Sequence, residues 1–405
     1  MLLSEPFPPD IRMEKETRAL STAGHRITLL CHAEVGRPTR ERIDGVNVVR
    51  LPIEETYAGV VGSLRRSRYL LTRVSPLWKR ALERVLVTDG IDAIHVHDLP
   101  LAKTALTVGE RCDLPVVLDL HENYPAAVRQ WRRTAAANRS GRSLDPRRLV
   151  GRLLTTDARL RRLERRCVGR ANQVLTVTVE AKRHYVRDCR APPHRVAVVS
   201  NTVDLRAFDG AETTDVGYEG EFVIAYVGSL SGAHRGLQDV IGAMPAVLDA
   251  IPNARLLIVG AGRDYEDRLE ELAALLGIDE CVSFTDWVDF EQVPSYIAAS
   301  DVCLVPHAAT EHTDTTVPHK LFQYIAMGTP VVVTDVRPLE RIVTETDAGL
   351  VTAAGDPDSI AAAIVELHAR PDRMREVGAN GRVAVERRYN WEHDADRLRD
   401  LYEVM

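Results

Sequence analysis

Lys320 and Gln323 lie one helical turn apart in the run Thr-Thr-Val-Pro-His-Lys-Leu-Phe-Gln-Tyr-Ile-Ala-Met-Gly-Thr-Pro-Val-Val-Val that starts at Thr315. The run reads as a helix start, one apolar-faced helix, a glycine stop and a buried strand. Thr315 or Thr316 can cap the helix, and Pro318 suits its first turn. Gly328 ends it and Pro330 keeps it from resuming. The free N–H groups and positive dipole end of such a helix, at Thr316 and Val317, make an anion site. Lys320 adds a mobile positive charge and Gln323 an amide. A phosphate followed by a sugar hydroxyl fits that order of groups. An ordinary helix of an α/β domain is the competing reading.

Three other segments carry candidate chemistry. Gly228-Ser229-Leu230-Ser231-Gly232-Ala233-His234-Arg235-Gly236 follows an apolar run. Its glycines let backbone N–H groups approach a phosphate, and Arg235 can grip one bidentately. A plain strand-to-helix turn is the alternative. Gly260-Ala261-Gly262 begins like a dinucleotide fingerprint, but Tyr265 holds the third glycine position. A tight turn near a nucleotide fits better. His121-Glu122 ends a strand, where His121 can bond a sugar or its departing phosphate; a satisfied loop histidine is the alternative. His97-Asp98 ends the neighbouring strand and reads as its structural support. Asp356-Pro357-Asp358 reads as a helix cap rather than a metal site. The thirteen His and six Cys show no zinc spacing.

These segments need a scaffold. A chain of 405 residues exceeds one usual core, so two domains are expected. Buried parallel strands are expected at 26–31, 46–51, 93–97, 115–120, 174–178 and 196–199. A second set falls at 222–227, 256–259, 282–284, 302–305, 330–334 and 349–352. Continuous Val/Ile/Leu runs alternating with helix-length stretches indicate doubly wound α/β domains. Met1–Ser4 is a very short first strand, read as an edge or as a start placed too late. Residues 132–143 and 208–220 read as loop and linker. Residues 391–405 form an amphipathic helix with Leu398, Leu401 and Tyr402 on one face, able to pack back.

Net charge −6 and pI near 6.1 argue against a nucleic acid partner. The charge is uneven: from Arg129 to Arg170 there are fourteen Arg and no Lys against Asp145, Asp157 and Glu164. That is +11 locally, leaving −17 elsewhere. This stretch, with Trp131, Leu149, Leu153 and Leu154, is a candidate contact for an anionic membrane surface; a solvated helix face is the alternative. Scattered cysteines suggest buried thiols in a reducing cytosol, and no run of 18 apolar residues is present. The expected location is cytoplasmic, with peripheral attachment to the inner membrane face as a candidate.

In order and spacing, several segments together resemble a glycosyltransferase of family 4. They are Asp10-Ile11-Arg12-Met13-Glu14-Lys15-Glu16, Ala23-Gly24-His25, Asp119-Leu120-His121-Glu122, Val199-Ser200-Asn201-Thr202-Val203-Asp204, Tyr226-Val227-Gly228-Ser229-Leu230 and Pro318-His319-Lys320-Leu321-Phe322-Gln323-Tyr324. The resemblance covers nearly the whole chain. It implies the GT-B fold: two Rossmann-like domains with parallel sheets, at 1–205 for the acceptor and 206–385 for a nucleotide-sugar donor. Residues 386–405 would form a helix crossing back to the first. It also implies retention of anomeric configuration, a UDP- or GDP-sugar donor, a hydroxyl acceptor (sugar, lipid-linked sugar or small metabolite), and no required metal or cofactor. His121, Arg235 and Lys320 are the expected catalytic groups. Gly228, Ser229, Gly236, Gly260, Trp287, Val288, Thr315, Thr316, Val317 and Gln323 are the expected donor-binding set. Gln323 stands where the family usually has a Glu, Thr315 where it has the first Glu of the pair, and Ser229 where it often has an Arg. The charged Asp10–Glu16 stretch replaces the usual Gly-rich loop. The expected mechanism is front-face displacement, with the leaving phosphate as base and closure about 204–220 excluding water. Alternatives are a non-catalytic nucleotide-sugar-binding or scaffold subunit, a nucleotide-sugar epimerase on the same fold, and a nicotinamide-dependent oxidoreductase resting on Gly260-Ala261-Gly262.

Overall fold

The structure is a computed structural model of the chain and describes residues 1–52, 59–137 and 154–405. It divides into two compact units. The first holds Met1–Arg129, 154–200 and Asp394–Met405; the second holds 130–137 and Asn201–His393. The chain passes from the first unit to the second at 200/201 and returns at 393/394.

The first unit is built on an eight-stranded sheet, in chain order β1 Leu2–Pro6, β2 Thr28–His32, β3 Arg40–Ile43, β4 Val46–Leu51, β5 Ile94–His97, β6 Val116–Leu120, β7 Gln173–Thr176 and β8 Val196–Val198. Its spatial order is β3-β4-β2-β1-β5-β6-β7-β8. All pairs are parallel except β3 with β4. β6 is buried at all five residues. A strand covered on both faces cannot alternate, hence its near-continuous apolar run. The one acid in it, Asp119, must find a cation (below).

Three expectations are corrected here. β1 is not an edge: it lies between β2 and β5, and the Met1 ammonium donates to the Thr28 carbonyl at 2.7 Å. β3 (Arg-Glu-Arg-Ile) was not anticipated, because a charged antiparallel edge strand has no apolar run to announce it. Residues 132–137 are not loop but the end of the helix Tyr124–Ala137; three consecutive alanines there favour helix. The rest of that expected loop, and the Arg-rich stretch from 138 to 153, lie outside the described residues.

The second unit carries a six-stranded parallel sheet ordered β11-β10-β9-β12-β13-β14. In chain order its strands are β9 Phe222–Val227, β10 Ala254–Val259, β11 Val282–Thr285, β12 Val302–Val305, β13 Val331–Thr334 and β14 Gly349–Thr352. The expected linker 208–220 begins in a short helix, Arg206–Asp209, and is pinned where Thr214 N–H donates to Ser295 Oγ at 3.0 Å. The helix Trp391–Glu403 follows, and its residues from Asp394 on belong to the first unit. There Leu398 and Leu401 are buried, and Tyr402 Oη lies 2.8 Å from His95 Nδ1. Among the described residues no helix is long and apolar enough to cross a membrane.

Candidate active site

In the second unit, candidate groups gather at the C-terminal ends of the strands, where open α/β sheets present ligand sites. Gly228 follows β9 with φ 139°. A Cβ there would sit 2.6 Å from Lys320 Nζ, so only glycine leaves the ammonium its place. Two tyrosines brace the turn. Tyr226 Oη donates to the Ser229 carbonyl at 3.0 Å, and Tyr324 Oη accepts the Val227 N–H at 2.7 Å. Gly236 closes the loop at φ 74°, with the Pro306 carbonyl so near that a Cβ would meet it at 1.6 Å.

Lys320 is buried. Its Nζ lies 3.2 Å from the centre of the Tyr226 ring and has no hydrogen-bond partner among the described residues. Burial, then the Arg235 charge, push its pKa well below the ordinary lysine value. Arg235 Nε donates to Ser231 Oγ at 3.2 Å, and its Nη1 lies 3.4 Å from His307 Nε2. No carboxylate pairs with either cation among the described residues. His234, His307 and His312 line the same place. Burial first and Arg235 second hold His234 down to about 3, His312 to about 4 and His307 well below its usual value. Two cations and three neutral imidazoles with no counter-charge make a preorganised anion site.

The helix His319–Ala326 begins one residue after Pro318, which is its N-cap. Thr315 and Thr316 therefore do not cap it. The residue before a proline avoids helical backbone, and Thr313–Thr315 forms its own 3-10 turn, with Thr315 Oγ1 donating to the His312 carbonyl at 2.9 Å. The Val317 carbonyl accepts from Asn201 Nδ2 at 3.0 Å. Gln323 is buried, and its amide meets no hydrogen-bond partner among the described residues. Gly260 and Gly262 serve loop packing instead, since a Cβ on either would strike the Gly228 or Leu230 carbonyl at 2.2 or 2.3 Å. They let two loops touch, and the Gly260 N–H is taken by Thr285 Oγ1 at 3.3 Å. Trp287, beyond β11, is 72% exposed; Val288 packs against the core.

In the first unit, His121 follows β6 and is the partly exposed member of a buried network. Arg12 forks onto Asp119, with Nη2 2.9 Å from Oδ2 and 3.0 Å from Oδ1, and its Nε lies 2.8 Å from Glu16 Oε1. Burial opposes the charge on Asp119, but Arg12 and then His121 hold its pKa well below the carboxylate range. Burial pushes Glu16 well above that range. His121 Nδ1 faces Asp98 Oδ2 at 3.4 Å, and its Nε2 faces Asp119 Oδ2 at 3.4 Å and His97 Nδ1 at 3.2 Å. Burial works against its protonation, yet Asp98 and then Asp119 raise its pKa well above the ordinary value. His95 and His97, buried among the same carboxylates, are held down. The net result is an imidazolium at His121 on a rigid support. Asp98 itself adopts φ 60° at the start of the helix Asp98–Cys112, which turns its carboxylate toward His121.

Comparison with known proteins fits both units. The profile described as Glycosyltransferase Family 4 matches residues 13–207, and that described as Glycosyl transferases group 1 matches residues 221–370. The chain belongs to this glycosyltransferase family. Phosphatidyl-myo-inositol mannosyltransferase of Mycolicibacterium smegmatis is 24% identical over 392 residues, covering 95% of this chain and 87% of that protein. A GDP-mannose-dependent monoacylated alpha-(1-6)-phosphatidylinositol monomannoside mannosyltransferase of Corynebacterium glutamicum is 33% identical over 170 residues, 41% of this chain and 43% of that one. Among solved structures, Anabaena HepE in complex with UDP superposes with TM-score 0.72 at 15% identity, covering 100% of this chain and 99% of that one. The fold is GT-B.

In this glycosyltransferase Arg235, Lys320, Gly228 and Gly236 come together in one site. Ser229 is on the surface of the same turn, and Gly260 supports it from behind. The three histidines were missed because they come from three segments with no spacing rule. The sequence assigns no role to Arg12 and Glu16; Asp119, an acid in a buried strand, is the signal that a partner must exist.

Proposed function

We propose that this glycosyltransferase moves a hexosyl group from a UDP- or GDP-sugar to a hydroxyl acceptor with retention of configuration. The observation that carries the reading is Lys320: a buried ammonium with no hydrogen-bond partner among the described residues, next to Arg235, with no carboxylate at hand. A buried, unneutralised charge is costly and is what a diphosphate would relieve. Lys320 and Arg235 then take up the negative charge that grows on the departing diphosphate, stabilising the transition state more than the ground state. The reading needs no divalent metal for that charge. Gln323 suits the ribose hydroxyls and exposed Trp287 a base face. His121, as imidazolium, is the first unit's donor to a sugar hydroxyl. The relatives' names, which specify phosphatidylinositol acceptors, favour a lipid-linked acceptor and so an anionic membrane surface near the Arg-rich region.

Thermal unfolding with UDP, GDP and ADP tests this. At about 100 times its dissociation constant a ligand adds about 2.7 kcal/mol. That raises the midpoint by several degrees, at roughly 2–4 °C per kcal/mol. One nucleoside diphosphate should stabilise the wild type, with the shift and sugar transfer both lost in Arg235→Ala. No shift with any of them, or unchanged turnover in both Arg235→Ala and Lys320→Ala, overturns the reading.

A further inference from the structure

A second group of side chains in the first unit has no part in the transfer reaction. Glu164 projects from the helix Asp157–Arg170, His184 from the helix Val179–Arg187, and Cys189 lies just beyond that helix. Glu164 and Cys189 are buried and His184 is nearly so. His184 Nε2 is 3.2 Å from Glu164 Oε2, and Cys189 Sγ is 3.6 Å from the same oxygen. All three ligating atoms lie within 4.8 Å of one another. On the far side of the ring, Asp188 Oδ2 accepts from His184 Nδ1 at 2.9 Å.

These spacings match a tetrahedron. With zinc bonds of about 2.0–2.1 Å to N and O and about 2.3 Å to S, tetrahedral edges are about 3.3 Å for N to O and about 3.6 Å for S to O. The Asp188 contact is the second feature such a site needs. A zinc-bound histidine gives its other ring N–H to a carboxylate, which fixes the tautomer and turns the free nitrogen to the metal. The Glu16, His95, His97 and Asp119 group is a weaker metal candidate, because the Arg12 guanidinium already lies against its carboxylates at 2.8 and 2.9 Å. No Arg or Lys pairs with Glu164 among the described residues; Arg165 reaches the Asp188 carbonyl instead.

We propose that Glu164 Oε2, His184 Nε2 and Cys189 Sγ bind a zinc ion, with water as the fourth ligand. Cys189 binds as thiolate and His184 through its Nε2 lone pair, so the thiol proton and any proton on Nε2 leave to solvent as the metal enters. The zinc clamps the two helices together. It does so beside Tyr185, whose Oη donates to the Glu122 carbonyl at 2.9 Å, next in the chain to His121. The clamp is structural, and its test does not involve the donor.

The test uses the full chain after dialysis against a chelator. Cobalt(II) titrated to one equivalent should give the near-ultraviolet thiolate charge-transfer band and intense visible bands of a tetrahedral site, both abolished by zinc. Zinc should also raise the unfolding midpoint. Cys189→Ser should lose the charge-transfer band, while Cys112→Ser, at an exposed cysteine, should keep it. Asp188→Asn, at a 64% exposed side chain, should fold and bind zinc about 10–100-fold more weakly. Absence of stoichiometric metal in the wild type overturns the proposal, whatever happens to Cys189→Ser. So does a band that survives Cys189→Ser or vanishes in Cys112→Ser, or an unchanged zinc affinity in Asp188→Asn.

Discussion

At the scale of single residues, Lys320 shows a conflict between folding and ligand binding. The contact with the Tyr226 ring is worth about 2 kcal/mol or more when desolvated, yet burying an ammonium without hydrogen bonds costs several kcal/mol. The depressed pKa of Lys320 says which is larger: burial works against the charged form more than the ring favours it. Lys320→Met keeps much of the apolar stem and removes the charge. The variant should be more stable than the wild type by about 1–3 kcal/mol, the usual cost of an unsatisfied buried group, and should no longer gain stability from nucleoside diphosphates. Calorimetry with and without nucleotide checks both halves. A lower midpoint without nucleotide would mean that the ring contact outweighs burial.

At the scale of elements, the loops that carry the site depend on glycine where backbones touch. Gly236 and Gly277 both have positive φ, 74° and 68°, but only Gly236 has a carbonyl where a Cβ would go; Gly277 has nothing within 4 Å. Gly277→Ala should cost about 1 kcal/mol, the backbone penalty alone. Gly236→Ala adds a clash that must move β12's following residue Pro306, for a total of at least about 3 kcal/mol. Urea unfolding of the two variants separates strain from clash; equal costs would show that the loop yields freely. The same elements show what sequence reveals. β9 and β12 have the bounds their apolar runs announce, because strands buried on both faces leave no other choice; β14 has them too, although it is an edge strand with Val351 exposed. β3 escapes, since an edge strand is satisfied with Arg-Glu-Arg-Ile. The helix bearing Lys320 was legible, but not that its cap is Pro318 rather than a threonine, because Thr315 found a nearer carbonyl. Arg235 and Lys320 stood out beside turn glycines. His234, His307 and His312 did not, because only the fold joins the β9 loop to the end of β12 and the turn before the helix. Arg12 and Glu16 resemble solvated helix charges until Asp119 is seen to be buried beneath them.

For the whole molecule, His121 in the first unit and the site histidines of the second respond to pH with opposite signs, while His95 and His97 side with the second unit. In the first, the raised pKa of His121 gives stability that is complete below the unfolded value of about 6.5 and is lost as pH rises through the folded value. In the second, His234 near 3 and His312 near 4 are depressed, so stability is complete above about 6.5 and falls as the medium is acidified toward those values. Donor binding couples to the second set. A diphosphate placed beside Lys320 and Arg235 reverses the local potential that lowers the pKa values of Lys320, His234, His307 and His312. Their pKa values must rise on binding, and the protein must take up protons. Nucleoside diphosphate affinity should therefore strengthen as pH falls from about 8 to about 6. Calorimetric titrations at one pH in buffers of different ionisation enthalpy should report a net uptake of a fraction of a proton or more per site, and Lys320→Met should reduce it. Proton release, or a heat independent of buffer, would mean that the anion binds elsewhere than among these groups, since no anion can enter a cluster of suppressed cations without raising their proton affinity.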